Sequence, residues 1–306
     1  MGNRSSLRGC TGVTLLAFAM LAQVCMGQLS NNREWKEKLQ QGYSVQRDVL
    51  YSHEDSSSNR LDVYVPTSGE QARPVLMWFH GGGWRSGSKD SVSGQLLPYL
   101  RMGWTVVNVE YRLTRVALAP AAVIDCRCAL YWVFANAAKI KADVSKIVVS
   151  GTSAGGHLAL MTGMAPAGSE LDKSCADVRV GNVAAIVNFY GITDLGQLLS
   201  GADEKAYSVA WIGDGPERKE VAELVSPMRY VRRGLPPVLT IHGDNDPTVP
   251  YRQAVRLHAA LDSLAVPNRL MTIKGGGHGR FGTEQNKEIE REILQFLTAH
   301  KIVGGQ

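Results

Sequence analysis

The pattern of hydrophobic and polar positions divides the chain into short extended segments separated by helical stretches. Residues 60–65 alternate, with Leu61, Val63 and Val65 against Asp62 and Tyr64, and stop at Pro66. Residues 45–51 form another extended segment just before them. Six later segments, 74–79, 105–109, 147–149, 184–189, 238–241 and 270–273, are more uniformly apolar. Sustained runs of that length suit strands buried on both faces of a parallel sheet. Between them, residues 91–102, 120–139, 154–164, 251–265 and 284–300 show helical periodicity. The last sets Ile289, Ile293, Phe296 and Leu297 on one side, with Glu288, Glu290, Arg291 and Glu292 mostly on the other. Alternating strands and helices predict a doubly wound α/β sheet of about eight mostly parallel strands flanked by helices. No internal repeat or low-complexity linker divides it.

Residues 192–235 break the rhythm. The stretch holds Tyr207, Trp211 and Ile212 and is too long for an ordinary connection. It is expected to form a small helical insertion above the C-terminal edge of the sheet, where open α/β folds bind ligands. It reads either as a partial lid or as a structural excursion.

The first 27 residues are set apart from the fold. Arg4 and Arg8 precede an apolar stretch from Thr11 to Cys25, and Cys25-Met26-Gly27 supplies a cleavage site before Gln28. That is the pattern of a signal peptide, and the stretch is short for a membrane span. The small residues that a lipoprotein needs before Cys25 are missing, and the one Asn-x-Ser site, at Asn3, lies inside the leader. The chain is thus expected to be exported, periplasmic or secreted and bacterial, without a stable membrane anchor. Residues 28–306 are expected to form a single catalytic domain.

The 306-residue chain carries a net charge of +5. Removing the leader, with its two arginines and no acid, leaves about +3 and no long basic run, so nothing supports nucleic-acid binding. Cys126, Cys128 and Cys175 remain after the leader. In an oxidising compartment Cys175 could bridge to either of the other two; three buried thiols are the alternative. Their spacing is not that of a structural zinc site.

The chemistry gathers around Gly151-Thr152-Ser153-Ala154-Gly155-Gly156, which follows an apolar strand and precedes an apolar helix. Small residues at 151 and 155 let the backbone turn sharply enough to hold the Ser153 hydroxyl out over the sheet. A serine needs a base to take its proton, and the base needs an acid to orient it. His278, within Gly275-Gly276-Gly277-His278-Gly279, is the candidate base; His157 and His258 lie on helices and read as packing residues. Asp246 is the preferred acid, with Asp244 two residues away and Asp194 as alternatives. An oxyanion hole is expected from Gly82 and Gly83, in His80-Gly81-Gly82-Gly83-Trp84, and from the amide of Ala154. Trp84, Tyr190 and Trp211 are candidate substrate-binding aromatics, although a purely structural Trp84 fits equally well. No metal set stands beside these residues, and neither a metal nor any other cofactor is expected. Asp125 and Arg127 are expected in buried hydrogen bonds or ion pairs near the serine turn.

On these segments the chain resembles the α/β-hydrolase esterases. It is most similar to bacterial carboxylesterases related to hormone-sensitive lipase and to the feruloyl/acetyl esterase-like group. The resemblance covers residues 45–300 and rests on several segments: 80–87, Tyr111-Arg112-Leu113, Asp125, 151–159, Ser226-Pro227 and 242–250. It implies the α/β-hydrolase fold, a Ser153–Asp246–His278 triad and oxyanion donors at Gly82, Gly83 and Ala154. Thr152 stands where relatives of hormone-sensitive lipase carry an acid, and only residues 28–44 precede the first strand in place of their longer cap. Both departures favour the feruloyl/acetyl branch, acting on small-molecule esters or esterified saccharides with short acyl or compact aromatic groups. A kynurenine formamidase-like amidase, a small serine peptidase and a non-catalytic binding module are the competing readings; the intact order of serine, aspartate and histidine disfavours the last.

Overall fold

The computed structural model describes residues 42–91 and 93–303. The leader and most of the charged stretch after it lie outside the described residues. Eight strands form one sheet: β1 (Tyr43–Leu50), β2 (Arg60–Pro66), β3 (Arg73–Phe79), β4 (Thr105–Val109), β5 (Ala142–Thr152), β6 (Ala185–Phe189), β7 (Val238–Gly243) and β8 (Asn268–Ile273). Their spatial order is β1-β2-β4-β3-β5-β6-β7-β8. The β1–β2 and β2–β4 pairs are antiparallel and every other pair is parallel.

The apolar runs follow from having helices on both faces. Successive side chains of a strand point to opposite sides, so a strand covered twice is apolar at most positions, and buried exceptions such as Asn108, Ser150 and Asn188 are hydrogen-bonded. Val75, Met77 and Phe79 of β3 enter one core, and Leu76 and Trp78 enter the other. The first core is closed by α2 (Ala121–Ala135), α3 (Ala154–Met164) and α6 (Arg252–Ser263). The second is closed by α1 (Ser93–Arg101) and α7 (Thr283–Ala299), which buries Ile289, Ile293, Phe296 and Leu297 as its periodicity predicts.

The two largest boundary differences from the sequence reading lie next to each other. The helix expected over 120–139 stops at Ala135, and β5 begins at Ala142 rather than at residue 147. Residues 142–146 include Asp143, Ser145 and Lys146, so hydropathy hides them; pairing of Arg73 with Ala142, followed by a register shift, makes them strand. Between β6 and β7 the insertion contains α4 (Ala206–Ile212), α5 (Arg218–Leu224) and three short 3-10 turns. Its Leu195, Leu198, Trp211, Ala222 and Val225 are continuous with the first core.

Beneath the sheet's first face, α2 is tied to the loop after α3 by a Cys128–Cys175 disulfide, while Cys126 stays a buried thiol. Asp125 and Arg127 belong to two separate ion pairs. Arg112 grips Asp125 through Nε and Nη2, and its backbone N–H donates to the same carboxylate at 2.8 Å. Arg127 Nε donates to Asp172 at 2.7 Å, and its Nη1 donates to the carbonyls of Thr162 and Ala165. Tyr131 and the Gly168 N–H also donate to Asp172. Removing one partner of a buried pair strands the other charge away from water. Asp172→Ala is therefore expected to lower the unfolding free energy by about 3–5 kcal/mol in urea titrations. A loss below about 1 kcal/mol would mean that this pair contributes little beyond its geometry.

Candidate active site

The site begins with a close approach of backbones. A Cβ on Gly155 would collide with the carbonyl oxygens of Phe79 and His80, and one on Gly151 would lie 2.5 Å from that of Phe79. Phe79 pairs with Gly151 across β3 and β5, so the end of β3 is pressed against the turn between β5 and α3. Ser153 sits in that turn at φ 56° and ψ −120°, a conformation that a non-glycine residue rarely holds. Its N–H donates to the Phe189 carbonyl at 2.9 Å, and its own carbonyl accepts the first helical bond, from His157. These contacts lock the serine outward.

His278, in the loop after β8, approaches from above. Its Nε2 lies 2.8 Å from Ser153 Oγ, and its Nδ1 lies 2.7 Å from Asp246 Oδ2. Asp246 Oδ1 accepts the N–H groups of Thr248 and Val249, which fixes the carboxylate's rotation. The sequence reading missed a second imidazole: His242 Nε2 stands 3.3 Å from Asp246 Oδ2 while also donating to the Val249 carbonyl. Burial alone would raise the Asp246 pKa. Hydrogen bonds from His242 and His278, the His278 charge and the Val249 N–H outweigh it and hold the carboxyl well below the usual carboxylate range.

The alternatives weighed from sequence go elsewhere. Asp244 accepts the Gly275 N–H at 2.7 Å and pairs with Lys274, which serves the loop. Asp194 pairs with Arg256. His258 bonds Asn268. His157 is buried beneath the turn and donates to the Val225 carbonyl at 2.7 Å; burial pushes its pKa down to about 4 despite that bond, so the ring is neutral.

Gly82 and Gly83 cross the mouth of the site at φ 123° and 59°. A Cβ on Gly82 would meet the Ser86 carbonyl, and the Gly82 carbonyl accepts the N–H groups of Arg85 and Ser86. His80 anchors the loop from behind. Its ring stacks on Tyr111 at 4.2 Å, its carbonyl accepts the Tyr111 hydroxyl, and Nε2 faces Glu110 at 3.3 Å. Ala154 is the first residue of α3, so its amide has no partner within the helix.

The resulting cleft of about 620 Å³ exposes Ser153, His278, the three glycines at 81–83, Tyr190 and Tyr207. Tyr190 meets the His278 ring edge-on at 4.6 Å, and burial together with the Asp246 carboxylate pushes its pKa up to about 12. Trp84 and Trp211 correct the expectation of direct substrate contact. Both are fully buried behind the cleft, stacked on each other at 4.0 Å with His157 against their edges. Their place on the wall is taken by Tyr207, whose hydroxyl donates to the Thr248 carbonyl. Arg85, Ser86, Thr152 and Thr248 complete the lining. Among the described residues no three His, Cys, Asp or Glu side chains converge on a metal-sized site.

An eight-stranded sheet of this order, with a serine turn after β5 and an acid and a histidine after β7 and β8, is that of the α/β-hydrolase superfamily. Residues 61–261 match the BD-FAE family, and the chain belongs to it. Among curated proteins it is 29% identical over 252 residues to Esterase LipC of Mycobacterium tuberculosis, covering 78% of this chain and 60% of that one. The chain spans between 52% and 62% of the length of the first curated relatives it matches. Among solved structures, a truncated carbohydrate esterase from gut microbiota superposes with a TM-score of 0.73 at 27% identity, covering 84% of this chain and 98% of that one. The thermophilic esterase Est2 of Thermogutta terrifontis, with propionate bound, gives 0.72 at 26%, covering 87% and 97%.

The depressed Asp246 pKa carries a pH signature. The folded value lies below the unfolded one, so the stabilisation is present above the ordinary carboxylate pKa of about 3.9 and is lost as pH falls toward the folded value. Asp246→Asn is expected to show a flatter loss of urea midpoint than the parent between about pH 4 and 2. Parallel curves would contradict the assigned hydrogen bonds.

Proposed function

We propose that the protein is a serine carboxylesterase that hydrolyses short acyl or compact aromatic esters, including esterified saccharides, through an acyl-enzyme. The observation that carries this reading is the unbroken relay from Ser153 through His278 to Asp246 beside a glycine loop. In the proposed cycle, His278 takes the Ser153 proton through Nε2 as Oγ attacks the ester carbonyl. Asp246 holds Nδ1–H and balances the imidazolium charge. The amides of Gly82, Gly83 and Ala154 receive the negative charge that develops on the carbonyl oxygen. His278 then protonates the departing alcohol, and water activated by the same imidazole releases the acid.

The kinship supports the substrate class. LipC is an esterase, the gut-microbiota relative is a carbohydrate esterase, and Est2 is seen with propionate and with butyrate. Tyr190 and Tyr207 narrow the cleft with aromatic walls. In this reading residues 28–306 form one catalytic domain, residues 1–27 are an export leader, and the mature protein is periplasmic or secreted in a bacterium. No helix among the described residues is long and apolar enough to cross a membrane.

Ser153→Ala should fold normally yet lose organophosphonate labelling and ester turnover, because alanine fits the turn. Asp246→Asn should lower kcat by about 10⁴-fold, whereas Asp244→Asn should have a far smaller effect. The wrong acid has been assigned if the Asp244 variant is the more damaged at equal folding. A second measurement concerns chain length. Each buried CH₂ adds only about 0.8 kcal/mol, and only while the pocket can hold it. Nitrophenyl esters of two to four acyl carbons should exceed those of ten in kcat/KM, measured below aggregation; a monotonic rise through ten carbons would instead point to a lipase.

A further inference from the structure

The cleft carries a charge that the proposed chemistry does not use. Among the described residues that line it, Arg85 is the one side chain with a permanent charge, and it is exposed beside Gly82 and Gly83. A second arginine accompanies it. The Thr114 N–H donates to the Trp84 carbonyl at 2.8 Å and its hydroxyl donates to the same oxygen at 2.9 Å, so the residue before Arg115 is tied to the residue before Arg85. Arg115 is also exposed. Among the described residues neither guanidinium has a hydrogen-bond or ion-pair partner, whereas Arg112, Arg127 and Arg256 each engage a carboxylate. Asp246 and Glu110 are already committed, the first to two histidines and the second to His80 and the Lys89 N–H.

We propose that Arg85 and Arg115 form an anion subsite that selects esters whose alcohol part carries a carboxylate, such as an acylated uronic acid. The inference rests on the esterase reading above. The acyl group stays on Ser153 while the alcohol departs to solvent, so the exposed rim is the alcohol's side of the cleft. A guanidinium presents paired N–H donors that match a carboxylate in two parallel hydrogen bonds. A neutral sugar offers no charge to that fork. Two cations on tethered loop segments also raise the local concentration of an anionic substrate, and salt weakens that attraction.

The test compares methyl glucuronate with methyl glucoside, each acetylated at the same hydroxyl, using the full mature protein. At about 20 mM salt the uronate ester should show about tenfold higher kcat/KM. That ratio should fall toward one in about 0.5 M NaCl and in an Arg85→Gln/Arg115→Gln double variant. Arg85→Lys should recover part of it, since the charge returns without the fork. Equal turnover of the two sugars by the parent, or a preference that survives in the double variant, overturns the subsite. Hydrolysis of short nitrophenyl esters with neither sugar ester accepted also overturns it while leaving the esterase reading standing. Loss of all ester hydrolysis in the parent would instead mean that the esterase reading itself has failed.

Discussion

The contact on which the site depends is the one between the end of β3 and the turn after β5. Phe79 and His80 present their carbonyls where only hydrogen atoms of Gly151 and Gly155 can pass. Nothing larger allows the two backbones to approach so closely, and a methyl group at either glycine would push them apart. Because β3 runs directly into the 81–83 loop and β5 into Ser153, this single spacing sets the distance from Ser153 to that loop. Gly156, packed against Asn188 and the Phe189 carbonyl, extends the same constraint to β6. The strained Ser153 backbone persists because three strands and one helix hold it there.

Charge at the site is organised from the buried end outward. The Asp246 side chain has no exposed surface, yet it is surrounded by donors: two imidazoles and two backbone N–H groups. In a medium of low polarity an unsatisfied carboxylate would be unstable, whereas a fully bonded one is both ionised and fixed in direction. That fixed charge sets the His278 tautomer, placing Nδ1–H toward the acid and leaving Nε2 to face the serine. His242 meets the same Asp246 carboxylate that His278 does.

The insertion between β6 and β7 joins the core as much as it covers the site. Trp211 stacks on Trp84 behind the glycine loop, and Val225 accepts the His157 hydrogen bond from α3. Tyr207, one helical turn before Trp211, faces the cleft and bonds the loop that carries Asp246. One short helix thus braces the glycine loop on one side and the loop carrying Asp246 on the other. The binding of a rigid aromatic wall to both loops keeps them in register without a separate domain.

Much of this was legible along the chain because strong local patterns coincide with local physics. The six later strands appeared as largely apolar runs, the first two as an extended and an alternating segment, and the amphipathic α7 followed from its period. The Gly151–Gly155 spacing announced the serine turn because backbone crowding leaves few residue choices. Where the pattern is polar, as at 142–146, strand pairing alone decided the structure. Sequence could not separate the roles of the two neighbouring acids; the fold turns Asp246 inward to His278 and Asp244 outward to Lys274. Nor could it foresee that Trp84 and Trp211, 127 residues apart, would stack on each other and leave the cleft wall to Tyr207. The Cys128–Cys175 pairing was likewise undecided between two partners until α2 placed Cys128 toward the loop and Cys126 into the core. Residue type and spacing determine what chemistry a segment can supply. Which neighbour each side chain meets depends on long-range packing, because contacts between distant segments leave no mark on the local pattern of either one.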